Sequence, residues 1–157
     1  MNMEIDESRV ERAVGLFKSG YNCSQSVVAA FADLYGFTPE QALRMSASFG
    51  GGIGRMRMTC GAACGIFMLA GLEKGSVDGS RQAKLANYAL VQELAAEFKK
   101  RMGSVVCSEL LGLASGTPVV PVPEERTSEY YKKRPCPKII EEAARIWVEH
   151  LKSKHNE

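Results

Sequence analysis

Hydrophobic residues along the chain recur three or four positions apart, which is the spacing of helices with one apolar face. The last such helix begins at Pro137, and its apolar face consists of Ile139, Ile140, Ala143, Ile146, Trp147 and Leu151. The same spacing predicts helices over residues 6–19, 22–36, 38–48, 60–73 and 80–102, with one or two helical turns at 107–112. No segment alternates as a surface strand does. The pattern therefore predicts one all-α domain over residues 1–157, a bundle of about five or six helices.

Two of these helices carry distinct packing expectations. The segment 60–73 is apolar nearly all round, which places it in the core. The long helix over residues 80–102 has a stripe on one side that consists of Leu85, Tyr88, Val91, Ala95, Phe98 and Met102. We expect this stripe to be buried against the bundle.

Three helix starts have side chains that are typical of N-caps. Asn22 precedes the second helix, and Gln25 completes a capping box with it. Thr38 precedes the third helix, whose first residue is Pro39, and Thr59 is predicted to cap the fourth.

Two segments cannot continue a helix. Residues 50–54 contain four glycines in five positions, and the loss of backbone entropy rules out regular structure there. This Gly-rich loop lacks the Gly-Lys-Ser/Thr ending of a phosphate-binding loop, and no strand precedes it. We therefore expect it to pack closely against the core. Residues 115–123 contain three prolines and are predicted to form a Pro-rich loop.

Composition and charge exclude several classes of function. Of 157 residues, 45% are hydrophobic and 24% are charged, which is ordinary for a globular protein. The net charge is only +2, so no global field favours nucleic acid or an anionic membrane. The start of the chain is acidic, unlike a secretory signal, and the longest apolar run, residues 60–72, is too short to span a bilayer. We expect a cytoplasmic protein without nucleic-acid or membrane partners, whose cysteines stay reduced.

Four of the five cysteines fall at predicted helix starts. The five are Cys23, Cys60, Cys64, Cys107 and Cys136, and all except Cys64 are so placed. Unpaired backbone N–H groups and the helix dipole favour a thiolate there, lowering the pKa by less than about one unit from the ordinary value near 8.5. The alternative explanation is that small cysteines simply pack near helix ends.

Cys60 is the candidate for an attacking thiolate. Arg55 and Arg57 shortly precede it and would add positive charge if they fold toward it. Cys64 lies one helical turn further on, on the same face. This spacing suits two ligands of one metal ion, a strained disulfide or simple core packing, and the lack of a Cys-x-x-Cys pair argues against a zinc finger.

Five motifs occur in the order found in a known family. They are Gly20-Tyr21-Asn22-Cys23-Ser24-Gln25, Phe49-Gly50-Gly51-Gly52-Ile53-Gly54-Arg55, Cys60-Gly61-Ala62-Ala63-Cys64-Gly65, Cys107-Ser108-Glu109-Leu110-Leu111-Gly112, and Cys136. Over residues 21–136 the sequence resembles the redox-active proteins labelled C_GCAxxG_C_C, although its middle motif reads Cys-Gly-Ala where the label has Gly-Cys-Ala. The resemblance implies a small helical protein with signature cysteines at Cys23, Cys60, Cys107 and Cys136. Cys64 falls on a variable position of the motif.

Three functions remain open at this point. The first is a thiol redox protein in which Cys60 attacks, supported by the caps and arginines named above, and Cys23, Cys107 or Cys136 resolves the product as a disulfide. Its electron donor or thiol partner is unknown. The second is binding of zinc or an iron–sulfur cluster by the four signature cysteines, with Cys64 as a further candidate ligand. The third is a non-catalytic module that forms a homodimer through its fourth or fifth helix.

Overall fold

The computed structural model describes residues 4–155, and within that range it contains eight α-helices and no strand. The helices are α1 (Glu7–Lys18), α2 (Cys23–Ala29), α3 (Pro39–Ser46), α4 (Gly61–Lys74), α5 (Arg81–Met102), α6 (Cys107–Leu110), α7 (Ser128–Lys133) and α8 (Cys136–His155). Two short 3-10 helices cover Ala32–Tyr35 and Ala47–Phe49. The predicted all-α class is therefore confirmed.

Helix α4 lies at the centre of the fold and packs against α2, α5 and α8. Its predicted place in the core is confirmed, because Ala62, Ile66 and Leu69 are fully buried. Gly65 lets α2 approach closely, since a Cβ at this position would lie 2.9 Å from the Cβ of Val27. The small residues of α4 thus determine how near its neighbours come.

Helices α1 and α8 pack along each other and close another side of the core. The predicted apolar face of α8 is buried in full: Ile139, Ile140, Ala143, Ile146, Trp147 and Leu151. Within residues 4–155 no helix combines the length and the hydropathy that a membrane crossing requires.

The predicted stripe of α5 is wrong in its first half, where Leu85 and Tyr88 are 68% and 57% exposed. The buried residues of α5 are Leu90, Leu94 and Phe98, a row spaced four residues apart, and Phe98 is the member of the predicted stripe among them. Such a row forms one ridge of a helix. Helix α5 has 22 residues against 14 in α4, so its neighbours cover only part of its length.

Helix α2 ends at Ala29, before the predicted end at residue 36, and a buried arginine secures the chain that follows. The Arg9 guanidinium is fully buried and donates to the Ala30 carbonyl oxygen at 2.9 Å and to Asp33 Oδ1 at 2.7 Å. Burial of this charge requires such partners. The 3-10 helix after α2 is therefore positioned by a side chain from α1.

Candidate functional site

The Gly-rich loop packs as closely as the sequence predicted. A Cβ at Gly50 would lie 2.6 Å from the Cβ of Asn22, and a Cβ at Gly52 would lie 2.6 Å from the Cβ of Cys107. Only glycine leaves room for these approaches. The loop is thus wedged between the start of α2 and the start of α6.

The Gly-rich loop and the residues that directly follow it include three non-glycine residues in the left-handed backbone region. Ile53, Arg55 and Arg57 have φ values of 65°, 62° and 62°. This conformation costs about 1–2 kcal/mol for an L-residue with a side chain. Such residues cluster at functional sites, where the surrounding structure maintains them.

Four cysteines line one cavity of about 330 Å³. Cys23, Cys107 and Cys136 are the first residues of α2, α6 and α8, and Cys60 immediately precedes α4. Their predicted positions at helix starts are therefore confirmed. All five cysteines carry free thiols, and Cys64 is not among the residues that line the cavity.

The capping of α2 fixes the position of Cys23, the first residue of that helix. Asn22 and Gln25 form the predicted capping box: Asn22 Oδ1 accepts from the Gln25 N–H at 2.9 Å, and Gln25 Oε1 accepts from the Asn22 N–H at 3.0 Å. The Asn22 amide also donates to the Ala47 carbonyl oxygen at 2.9 Å. Across the cavity wall, Gly61 has no Cβ, and one would overlap Cys23 Sγ. The thiol of Cys23 thus occupies space that Gly61 leaves open.

Thr59 does not cap α4, and that prediction is wrong. Cys60 occupies the N-cap position without a side-chain capping bond, and α4 begins at Gly61. Thr59 instead forms an antiparallel bridge with Val106, beside which the Cys60 N–H donates to the Val105 carbonyl oxygen at 2.7 Å. Because Thr59 pairs with the segment before α6, it does not cap α4.

Burial shifts the pKa of three cavity thiols more strongly than the helix dipole does. It raises the pKa of Cys23 and Cys60, and it raises that of Cys136 to about 11. Nearby backbone N–H groups oppose the shift at Cys23 and Cys60 without cancelling it. The expected net preference for thiolates at these helix starts is therefore wrong. A helix terminus contributes about 0.3–1 kcal/mol, whereas removing a charge from water costs several kcal/mol.

Cys23 and Cys107 are both electrostatic neighbours of the other two cavity thiols. A negative charge on either sulfur would raise the pKa of Cys60 and of Cys136, and a charge on Cys107 would also raise the pKa of Cys23. The Gly51 N–H also faces the Cys23 sulfur, and Gly52 lies against Cys107. Cys23 and Cys107 therefore flank adjacent residues of the same loop.

The two arginines that precede Cys60 in the sequence lie elsewhere than expected. Arg57 donates through Nη1 to Cys107 Sγ at 3.7 Å. Arg55 donates to the Val120 carbonyl oxygen at 2.8 Å and pairs with Glu124 at 3.5 Å. The positive charge of Arg57 therefore lies beside Cys107 and not beside Cys60, where the sequence had led us to expect it.

The cover of the cavity is the feature that sequence reasoning missed. Pro121 and Pro123 of the predicted Pro-rich loop line the cavity, and α7 and the residues around it supply Arg126, Tyr130 and Arg134. The segment around α7 has a Thr-x-x-Tyr start and a small apolar content, so its helix gives a weak periodic signal. Only contacts distant in sequence bring it over the cysteines.

Arg126 fastens this cover to α1. Its guanidinium donates to the carbonyl oxygens of Phe17 at 3.0 Å and Tyr21 at 3.1 Å, and it stacks 4.2 Å from the centre of the Phe17 ring. Arg134 forms an ion pair with Glu124, which also faces Arg55. The cover and the Gly-rich loop are therefore joined through one carboxylate.

Cys64 belongs to the core beside the site. Its Sγ lies 3.8 Å from the Thr59 carbonyl oxygen, to which the thiol can donate, and burial raises its pKa to about 11. In the part of the chain that the structure describes, no three His, Cys, Asp or Glu side chains are close enough to hold a metal ion. The four-cysteine zinc or cluster site is therefore not formed in this arrangement.

Residues 21–150 match the model of a family described as "Putative redox-active protein (C_GCAxxG_C_C)". The chain belongs to this family. Neither a curated protein nor a solved structure matches it. The four cysteines that the sequence resemblance assigned to the family's signature, Cys23, Cys60, Cys107 and Cys136, line the cavity. The variable motif position held by Cys64 lies outside it.

Proposed function

We propose that this member of the C_GCAxxG_C_C family exchanges disulfides through a pair formed by Cys107 and Cys23. The observation that carries the proposal is that the four signature thiols line one cavity in which a guanidinium lies against Cys107. A thiolate is the reactive form of cysteine, and an adjacent arginine stabilises negative charge on its sulfur. No arginine in residues 4–155 donates a hydrogen bond to Cys60, and its raised pKa counts against the attacking role expected from the sequence.

The exchange would occur in two steps. The Cys107 thiolate attacks one sulfur of a substrate disulfide, the substrate S–S bond breaks, and the first thiolate leaves and takes up a proton. Cys23 then loses its proton to solvent and attacks Cys107 Sγ, which releases the second substrate thiolate. The substrate gains two electrons, and the protein is oxidised to a Cys23–Cys107 disulfide.

Cys23 is the resolving partner because it flanks the same loop as Cys107 and because a negative charge on Cys107 would raise the pKa of Cys23. Cys60 and Cys136 line the same cavity, and their pKa values are raised as that of Cys23 is, so the choice of Cys23 rests on the loop that it shares with Cys107. In this proposal they remain thiols during one exchange.

The proposal is tested by treating the reduced protein with a small disulfide, counting the remaining thiols and mapping the linked peptides by mass. Two of the five thiols should disappear as a Cys23–Cys107 disulfide. Cys107→Ser should not form the mixed disulfide, and Cys23→Ser should accumulate it on Cys107. Cys64→Ser, which changes a cysteine outside the cavity, is the matched control and should behave as the unchanged protein. A full rate of exchange in Cys107→Ser would refute the proposal.

A further inference from the structure

Positive charge is in excess around the cavity. Four guanidinium groups line it, from Arg55, Arg57, Arg126 and Arg134, and among the described residues the single lining carboxylate is that of Glu124. An enclosed site with charge of one sign concentrates ligands of the opposite sign. The cavity of the reduced protein is therefore suited to an anionic ligand.

Three of these guanidinium groups are already used within the protein. Arg55 and Arg134 share the Glu124 carboxylate. Arg126 donates to two carbonyl oxygens and stacks on the Phe17 ring. These three hold the cover in place, and each donates to at least one oxygen acceptor of the protein.

Arg57 differs from the other three. Its one side-chain hydrogen bond in residues 4–155 is to the Cys107 sulfur, and no carboxylate or carbonyl oxygen of that range accepts from it. A guanidinium has five N–H donors, so most of those of Arg57 have no acceptor in the protein. The group is half-buried at the cavity wall.

The backbone holds Arg57 at this position. Its N–H donates to the Gly51 carbonyl oxygen at 3.2 Å, and its carbonyl oxygen accepts from the Ser108 N–H at 3.3 Å. These bonds maintain the left-handed φ of 62°. A strained residue with unused donors beside the proposed attacking sulfur is placed to bind a ligand and not to stabilise the fold.

We infer that Arg57 recognises a carboxylate on a low-molecular-weight disulfide and so directs the disulfide to Cys107. This inference rests on the proposed function. A guanidinium binds a carboxylate through two parallel hydrogen bonds, which fix orientation as well as position. The cavity of about 330 Å³ admits a small molecule, and the rings of Phe17 and Tyr130 and the side chain of Leu110 give it apolar walls. The preferred substrate class is therefore an anionic disulfide whose carboxylate lies near its sulfurs.

The test compares two reagents that release a coloured thiol on exchange. One is 5,5′-dithiobis(2-nitrobenzoate), which carries two carboxylates, and the other is 4,4′-dithiodipyridine, which is neutral. Rates are measured on the reduced full chain at pH 7 and low salt, and the labelled cysteine is identified by mass in Cys23→Ser. The ratio of the two rates is compared between the unchanged protein and Arg57→Gln.

Arg57→Gln should lower the ratio of the anionic to the neutral rate on the order of tenfold, because a charge-assisted bidentate pair is lost. Any change in the reactivity of the Cys107 sulfur itself affects both reagents and cancels in the ratio. Arg57→Lys keeps the positive charge but cannot form two parallel hydrogen bonds to a carboxylate, so it should give an intermediate ratio. Salt at 0.5 M should reduce the preference in the unchanged protein. Arg44→Gln, at an exposed position of α3 away from the cavity, is the matched control and should leave the ratio unchanged.

The outcomes separate the two proposals. If both reagents label Cys107 and Arg57→Gln leaves the ratio unchanged, the inference about Arg57 is overturned while the exchange chemistry stands. If neither reagent labels Cys107 in Cys23→Ser, the proposed function fails and the inference fails with it.

Discussion

Replacement of Gly61 by alanine tests how closely the thiol of Cys23 is packed. A Cβ at Gly61 would overlap Cys23 Sγ and would lie 2.7 Å from the Phe49 carbonyl oxygen. A comfortable contact needs roughly 3.5 Å, so the backbone around Phe49 must move by about 0.8 Å. Rotation of the Cys23 side chain could move its sulfur, but the Phe49 carbonyl oxygen belongs to the backbone. The strain therefore cannot be relieved by a rotamer change alone.

The expected cost follows from two opposing effects. Overpacking of a close contact costs about 1–3 kcal/mol. Alanine gains at most about 1 kcal/mol over glycine in a helix, and less at the first position of α4. Gly61→Ala should therefore lower the free energy of unfolding by about 1–2 kcal/mol.

Gly71→Ala is the matched control on the same helix. A Cβ at Gly71 meets nothing within 4 Å, and its backbone is helical, so this change should raise the free energy of unfolding by about 0.5–1 kcal/mol. Both variants and the unchanged protein are unfolded in urea under reducing conditions, followed by far-UV circular dichroism. Equal stabilities for the two variants would refute the packing argument. So would a stabilised Gly61→Ala.

Two further predictions concern charge. Asp33→Asn should lower the free energy of unfolding by about 2 kcal/mol at pH 7, measured in urea, because it removes the carboxylate partner of the buried Arg9. Arg9 holds the pKa of Asp33 below its usual range, so this stabilisation is complete above the unfolded pKa near 3.9 and is lost as pH falls through the folded value. An equal gap between the two proteins at pH 2 and pH 7 would contradict this. Burial raises the pKa of Cys136 to about 11, so its alkylation by iodoacetamide, followed by peptide mass, should rise about tenfold per pH unit from pH 7 to pH 10. A plateau below pH 9 would show that the thiol is not buried as described.

The helix starts could be predicted from the sequence because they depend on neighbours along the chain. The capping box of Asn22 and Gln25 needs only a side chain and a backbone N–H three residues apart. The core face of α8 follows from the repeat of its own apolar residues. Thr59 shows the limit of this reasoning. It is a residue that commonly caps helices, but it pairs in a bridge with Val106, which is distant in sequence.

The chemistry of the site depends on contacts that spacing does not reveal. Arg55 and Arg57 precede Cys60 in the sequence, yet the left-handed turns of the Gly-rich loop direct Arg57 to Cys107 and Arg55 to Glu124. Burial also depends on the whole fold. A helix start can be recognised locally, whereas the covering of that start by α7 and the Pro-rich loop cannot.

The local helix starts and the burial imposed by the whole fold together explain why the four cavity thiols differ in reactivity. Four cysteines share the same local feature, a helix start, and on that feature alone they would be equally reactive. Burial raises the pKa of Cys23, Cys60 and Cys136 and keeps them neutral. Cys107 is buried as well, and what distinguishes it is the Arg57 guanidinium that donates to its sulfur. If the proposed exchange holds, selectivity arises because a disulfide must enter the cavity and meet Arg57 before it reaches the sulfur that can attack it.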